Sequence, residues 1–203
     1  LFFRFSDSIV RDLEKSGLEL SQLSQRLKLA TESAGVGIWD WDVKENILVW
    51  DDTMYLLYGI KAGDFSGAYE AWVQGLHPED KARSDAEVGQ ALEGGKPFDT
   101  EFRVIWPDSS THYISGTGSV FFDTEGAPER MIGVNWDITE RKHAEQKIRS
   151  SEARLRAILD HALDGIITID ESGTIQTVNP ACESIFGYSE EEMLGQNVRL
   201  LMP

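Results

Sequence analysis

The spacing of apolar residues changes period along this chain, and each change marks a new element. Over residues 6–33, Ile9, Leu13, Leu20, Leu23, Leu27 and Ala30 recur in three- and four-residue steps, with Ser16 as the polar seam position. That pattern predicts an amphipathic helix, packed on its own domain or paired with a second copy in a coiled coil. At Gly35-Val36-Gly37 the period shifts towards two. Residues 36–43 predict a strand, Lys44-Glu45-Asn46 a turn, and residues 47–50 the return strand. Short helices follow: Asp51 or Asp52 caps residues 53–58, Gly59 ends them, and residues 68–74 add another. His77-Pro78-Glu79-Asp80 opens a longer helix to about Leu92, with proline at its first position and carboxylates on the positive end of the helix dipole.

Three strands come next. Residues 98–106 place Phe98, Thr100, Phe102, Val104 and Trp106 on one face, and Pro107-Asp108-Ser109-Ser110 turns the chain. Residues 111–122 form the second strand, where Gly116 and Gly118 predict a bulge or close packing, and residues 129–138 form the third. Antiparallel neighbours with helices on one side predict an α+β fold. Helical spacing then returns. Ala144, Ile148, Ser151, Leu155, Ile158 and Ala162 follow one another by 4, 3, 4, 3 and 4 residues, the seam of a coiled coil.

The whole pattern begins again after 128 residues. Gly37-Ile38 recurs as Gly165-Ile166, Ile47 as Ile175, Tyr58-Gly59 as Phe186-Gly187, and the preceding seams match in phase. The domains read from this are a helix over residues 1–33, a complete module over 34–139, a linker helix over 140–163 and the opening of a second module over 164–203. Lacking the longer helix and the three-strand meander, that opening is expected to be poorly stable by itself.

Composition narrows the function. The 203 residues are 41% hydrophobic and 27% charged, enough for one or two globular domains. A net charge of -16 argues against nucleic acid as a partner. The single cysteine, Cys182, rules out an internal disulfide and points to the cytoplasm. No apolar run reaches the ~18 to 20 residues of a membrane span. The opening Leu1-Phe2-Phe3-Arg4-Phe5 fits either the cytoplasmic end of an anchor preceding Leu1 or an arbitrary boundary. His77, His112, His143 and His161 have no metal-ligand spacing, and neither a phosphate loop nor a Ser/His/Asp set is present. Neither a metal site nor a catalytic residue is expected in this segment.

The runs Gly37-Ile38-Trp39-Asp40-Trp41-Asp42, His77-Pro78-Glu79-Asp80, Phe102-Arg103-Val104 and, most specifically, Gly133-Val134-Asn135-Trp136-Asp137-Ile138-Thr139-Glu140-Arg141-Lys142 resemble the PAS family of sensor domains with its PAC motif. The resemblance implies a five-stranded antiparallel sheet cupped over short helices and flanked by signalling helices. It also implies that Asp137 and Thr139 couple the cup to the following helix, with Ile148, Ser151 and Leu155 carrying the signal onward. Candidate pocket residues are Ile38, Tyr55, Trp72, Phe102, Val104, Ser115, Thr117 and Asn135. The tryptophans at 39, 41, 50, 106 and 136 would fill the core or, less simply, stack on a flavin.

Two cofactor chemistries are testable by position. The photosensing branch of the family uses a cysteine where this chain has Val198, which cannot form the flavin thioether. The run from Phe186 to Pro203 is similar to haem-binding oxygen sensors, whose ligating histidine lies in the helix after this proline. No cofactor is therefore assigned, with flavin or haem as weaker options. The function implied is a sensory and dimerisation relay: a homodimer through the N-terminal and linker helices, feeding a histidine kinase or diguanylate cyclase/phosphodiesterase after residue 203. The rivals are a ligand-free interaction spacer, a flavin or haem sensor, and a flavin-dependent enzyme.

Overall fold

The computed structural model describes residues 2–202, with side chains from Glu14 onward. Ile9 and Leu13 of the first seam therefore lie outside the described side chains. The chain divides into two compact units, Leu1–Glu140 and Arg141–Pro203.

The first unit opens with helix α1 (Phe2–Ser33), which continues through Gly17. Strands β1 (Val36–Asp42) and β2 (Ile47–Trp50) form a hairpin, turned at Asn46 by a left-handed backbone and braced where Asp42 Oδ1 accepts from Glu45 N–H at 2.9 Å. Helix α2 (Asp52–Leu57) is capped by Asp51, whose carboxylate accepts from Met54 N–H. A 3-10 turn at Ala62–Asp64, α3 (Tyr69–Gly75) and α4 (Pro78–Leu92) complete the helical side. Strands β3 (Phe98–Ile105), β4 (Thr111–Phe122) and β5 (Pro128–Asp137) return as a meander. The five strands are antiparallel neighbours in the order β2-β1-β5-β4-β3. The meander therefore closes back onto the first hairpin, and β5 lies at the centre between β1 and β4.

The core fills the space between the inner sheet face and the helices. Trp39, Trp41, Trp50, Trp72, Phe98 and Phe102 are all buried there. Burial alternates along β3 and β5, as expected for a sheet with one covered face. Of the two expectations at Gly116 and Gly118, close packing is the one found and the bulge is not: the β4–β5 ladder runs unbroken through both, and its register shifts at Phe121/Phe122 instead. The glycines serve close packing. A Cβ on Gly118 would lie 2.6 Å from the Trp39 ring, and one on Gly116 2.7 Å from Asn135 Oδ1.

The N-terminus of α4 is tied to β3 by the buried Asp80. Its Oδ2 accepts from Arg103 N–H at 2.8 Å and Nε–H at 3.0 Å, and its Oδ1 accepts from Nη2–H at 2.7 Å. The hydrogen bond from the Arg103 side chain, partly opposed by burial, holds the Asp80 carboxyl below the usual aspartate range. A depressed carboxylate stabilises the fold above its unfolded pKa of ~3.9, and that contribution is lost as pH falls through the folded value. Replacing Asp80 by Ala leaves the Arg103 N–H unsatisfied and should cost ~2–3 kcal/mol at neutral pH. Urea unfolding at pH 7 and in acid should show the gap between the two proteins closing in acid.

Helix α5 (Thr139–Asp160) starts directly after β5, and none of its side chains is buried. The second unit then repeats the first hairpin. It contains β6 (Ile167–Ile169), β7 (Ile175–Val178), α6 (Pro180–Phe186), α7 (Glu190–Met193) and a 3-10 turn at Val198–Leu201. The 128-residue offset holds at the level of bonds: Asp51 N–H donates to Ile38 O at 3.0 Å, and Asn179 N–H to Ile166 O at 3.0 Å. Gly37 lies against Met54, and Gly165 against the corresponding Cys182, which is fully buried beside Ile175 and Met193. Cys182 is thus a small core residue of its own unit.

Candidate functional site

Two places in the first unit invite a functional reading: the inner face of the cup and the junction where β5 becomes α5. The cup is lined by aromatic rings from β1, β2, α3 and β3, and what they leave is about 30 Å³, room for a water or two. Its polar groups are mutually occupied. Asn135 Oδ1 accepts from Trp39 Nε1–H at 2.9 Å, while its amide donates to the Tyr58 hydroxyl at 3.4 Å. Tyr58 also accepts from Trp72 Nε1–H at 2.8 Å. Burial pushes the Tyr58 phenol far above its ordinary range, so it stays neutral.

Of the predicted pocket residues, Trp72, Phe102 and Asn135 line this space, and Val104 is buried in the same core. Tyr55 is half-buried at the edge, tilted 5.7 Å from Trp50 and edge-on to Phe65 at 6.1 Å. Ile38, Ser115 and Thr117 are corrected. Ile38 pairs with Val134 across the outer face and looks into a cleft beside Leu23 and Leu27 of α1. Ser115 and Thr117 pair with Glu101 and Asp99 on that same outer face, because Gly116 and Gly118 occupy the inward positions of β4. Trp39 was expected in the core, but not its bond to Asn135, and Tyr58 and Met54 were missed as network or lining residues; their apolar spacing was legible, but not which of them would converge.

At the junction, Asp137 ends β5 and caps the next helix, its Oδ1 accepting from Thr139 N–H at 2.6 Å. Thr139 Oγ1 accepts from Tyr113 N–H at 2.9 Å, and Ile138 N–H donates to Tyr113 O at 2.8 Å. The first residue of α5 is therefore stitched to the beginning of β4. Beside it His112 stacks on Trp106, ring centres 3.8 Å apart, with Nδ1 3.5 Å from Asp137 Oδ2. Trp106 lies over Gly59 and donates from Nε1 to Leu57 O at 3.0 Å, joining the end of α2 to this cluster. Sequence reading placed Asp137 and Thr139 here but not His112, which stands on β4 two residues from Ile114, the partner of Asp137 in the β4–β5 register.

Along α5, Ile148, Leu155 and Ile158 are each more than half exposed, with Ser151 also on the surface. Among the described residues no group of three or more His, Cys, Asp or Glu could hold a metal, and no helix is long and apolar enough to cross a membrane.

Comparison with known proteins agrees with this architecture. One family model described as PAS fold matches residues 47–135, and another with the same description matches residues 153–203. The probable diguanylate cyclase DgcE of Escherichia coli is 31% identical over 96% of this chain and 18% of its own length. The sensor protein FixL of Bradyrhizobium diazoefficiens is 36% identical over 88% of this chain and 35% of its own. The chain thus spans a minor part of these curated relatives. A sensory box histidine kinase/response regulator from Burkholderia thailandensis superposes with a TM-score of 0.57 at 29% identity, over 65% of this chain and 98% of that one. The five-stranded antiparallel cup, its hand-over at Asp137 and Thr139, the repeat after 128 residues and these matches have one reading: the chain belongs to the PAS family of sensory signal-transduction modules, with PAS-type sequence in two stretches, 47–135 and 153–203.

Proposed function

We propose that this segment is a dimeric relay, in which a change in the first cup is passed through Asp137 and Thr139 to α5 and on to an output enzyme elsewhere in the parent protein. The observation that supports it most is the exposed seam of Ile148, Leu155 and Ile158 on a helix with no buried residue, which begins at a cap fastened to the sheet. A helix with a narrow apolar stripe and charged flanks is stable when that stripe meets a second copy. Leu20, Leu23 and Leu27 of α1, which stand 128 residues before Ile148, Ser151 and Leu155 and are all more than half exposed, extend the same logic upstream. The names of a diguanylate cyclase and a sensory box histidine kinase among the similar proteins suggest one of these activities as output.

In this reading Ser151 is the polar seam position that keeps the coil switchable. Ser151→Leu should tighten self-association about tenfold and lock the output. Sedimentation velocity over a concentration series decides it; an unchanged dimer constant would count against a seam through Ser151.

The first cup works in this proposal without a flavin or haem, because about 30 Å³ remains among its side chains and its polar groups bond one another. An absorption spectrum of the purified chain tests that, since a flavin or Soret band bound to the first unit would require the aromatic core to open.

A further inference from the structure

We propose that His112 is a proton-operated latch between the sheet and the output helix. The hydrogen bonds around the ring define its neutral form. Ser110 Oγ donates to Asp108 Oδ1, so towards His112 Nε2, 3.1 Å away, it can only accept. The neutral ring therefore carries its proton on Nε2 and turns the lone pair of Nδ1 towards Asp137. That nitrogen is buried without a hydrogen bond, 3.5 Å from Asp137 Oδ2. The groups set against the ring are Trp106 on its face, Ser110 and Asp108 at one edge, and Asp137 at the other. Both ionisable groups set against the ring are acids, and the first turn of α5 carries the Glu140 carboxylate together with the Arg141 and Lys142 cations.

Uptake of one solvent proton at Nδ1 converts a lone pair facing a carboxylate into a charge-assisted N–H donor to Asp137 Oδ2, while Nε2–H keeps its bond to Ser110. The other oxygen of the same carboxylate already holds Thr139 N–H. Protonation thus fastens β4 to the capping residue of α5, and deprotonation loosens it. His112 acts through Asp137 and is a positioning residue. The ligand is the proton, and the segment that responds is the first turn of the output helix.

The test is a series of 1H–15N spectra of the whole chain from about pH 8 to about pH 5, the range in which histidine titrates. The Thr139 amide and the His112 ring should move with one midpoint. The first-turn amides of α5 should exchange roughly fivefold more slowly at the acid end, after correction for intrinsic exchange. His112→Gln should abolish both effects, and His112→Arg, with a permanent charge, should give slow exchange throughout. Asp137→Asn examines the same bond from its other side if the Gln variant does not fold. A Thr139 amide that does not respond to pH, or whose titration survives His112→Gln, overturns the latch. The latch rests on the relay reading of α5, and sedimentation of the same samples separates the two. A dimer with a silent Thr139 removes only the latch, whereas a titrating Thr139 in a chain that never dimerises removes only the dimeric relay.

Discussion

Gly133→Ala is expected to cost the first domain ~3–5 kcal/mol and to lower its melting temperature by more than about 10 °C. Gly133 lies in β5, opposite Gly118 of β4 and Trp39 of β1, and the Trp39 indole rests across the two glycines. A methyl group at 133 would overlap both the Thr117 carbonyl oxygen and the indole. The carbonyl belongs to the neighbouring strand, so it cannot yield without disturbing the ladder. The indole cannot yield either, being buried edge-on to Phe98 at 6.0 Å and bonded to Asn135. Thermal unfolding followed by near-UV circular dichroism measures the effect. Gly63→Ala, at a site with nothing within 4 Å of the added carbon, is the control and should change little. A Gly133→Ala protein with wild-type stability and an unaltered aromatic spectrum would show that Trp39 can be rehoused.

Asn135→Leu should remove ~2–4 kcal/mol, although leucine is similar in size and more apolar. The substitution strips the acceptor from Trp39 Nε1–H and the donor from Tyr58, both inside the buried core. Tyr58→Phe should cost ~1–2 kcal/mol by leaving Trp72 Nε1–H unpaired. Because the groups form one network, the double variant should lose less than the sum of the two, with an interaction of ~0.5–3 kcal/mol. Strict additivity in urea titrations would mean that these bonds act independently. The network joins β1, α2, α3 and β5, so its loosening is also the most direct way for an event in the cup to reach the strand that ends at Asp137.

Some of this was legible residue by residue. The alternation of Phe98, Thr100, Phe102 and Val104 marks the inner face of β3 because charged residues hold the other positions. In β1 the same reasoning assigned Ile38 to the wrong face. Val36 and Ile38 on one side and Trp39 and Trp41 on the other are all apolar, since α1 half-covers the outer face. In β4 it failed for a different reason. The inward positions Gly116 and Gly118 carry no side chain, so Ser115 and Thr117 looked like the functional face. Only the Trp39 ring above the glycines explains why nothing larger can stand there.

Local pattern was enough for the order of the elements, the turns, the α+β class, the 128-residue repeat and the exposed seam of α5, because each depends on neighbours within a few residues or on a pattern that recurs. Tertiary structure alone decided which face of each strand became the core, that the aromatic rings would fill the cup, and that His112 would meet Asp137. Those outcomes depend on the pairing of strands distant in the chain. Cross-strand register sets them, and a shift of one residue would turn every side chain to the opposite face.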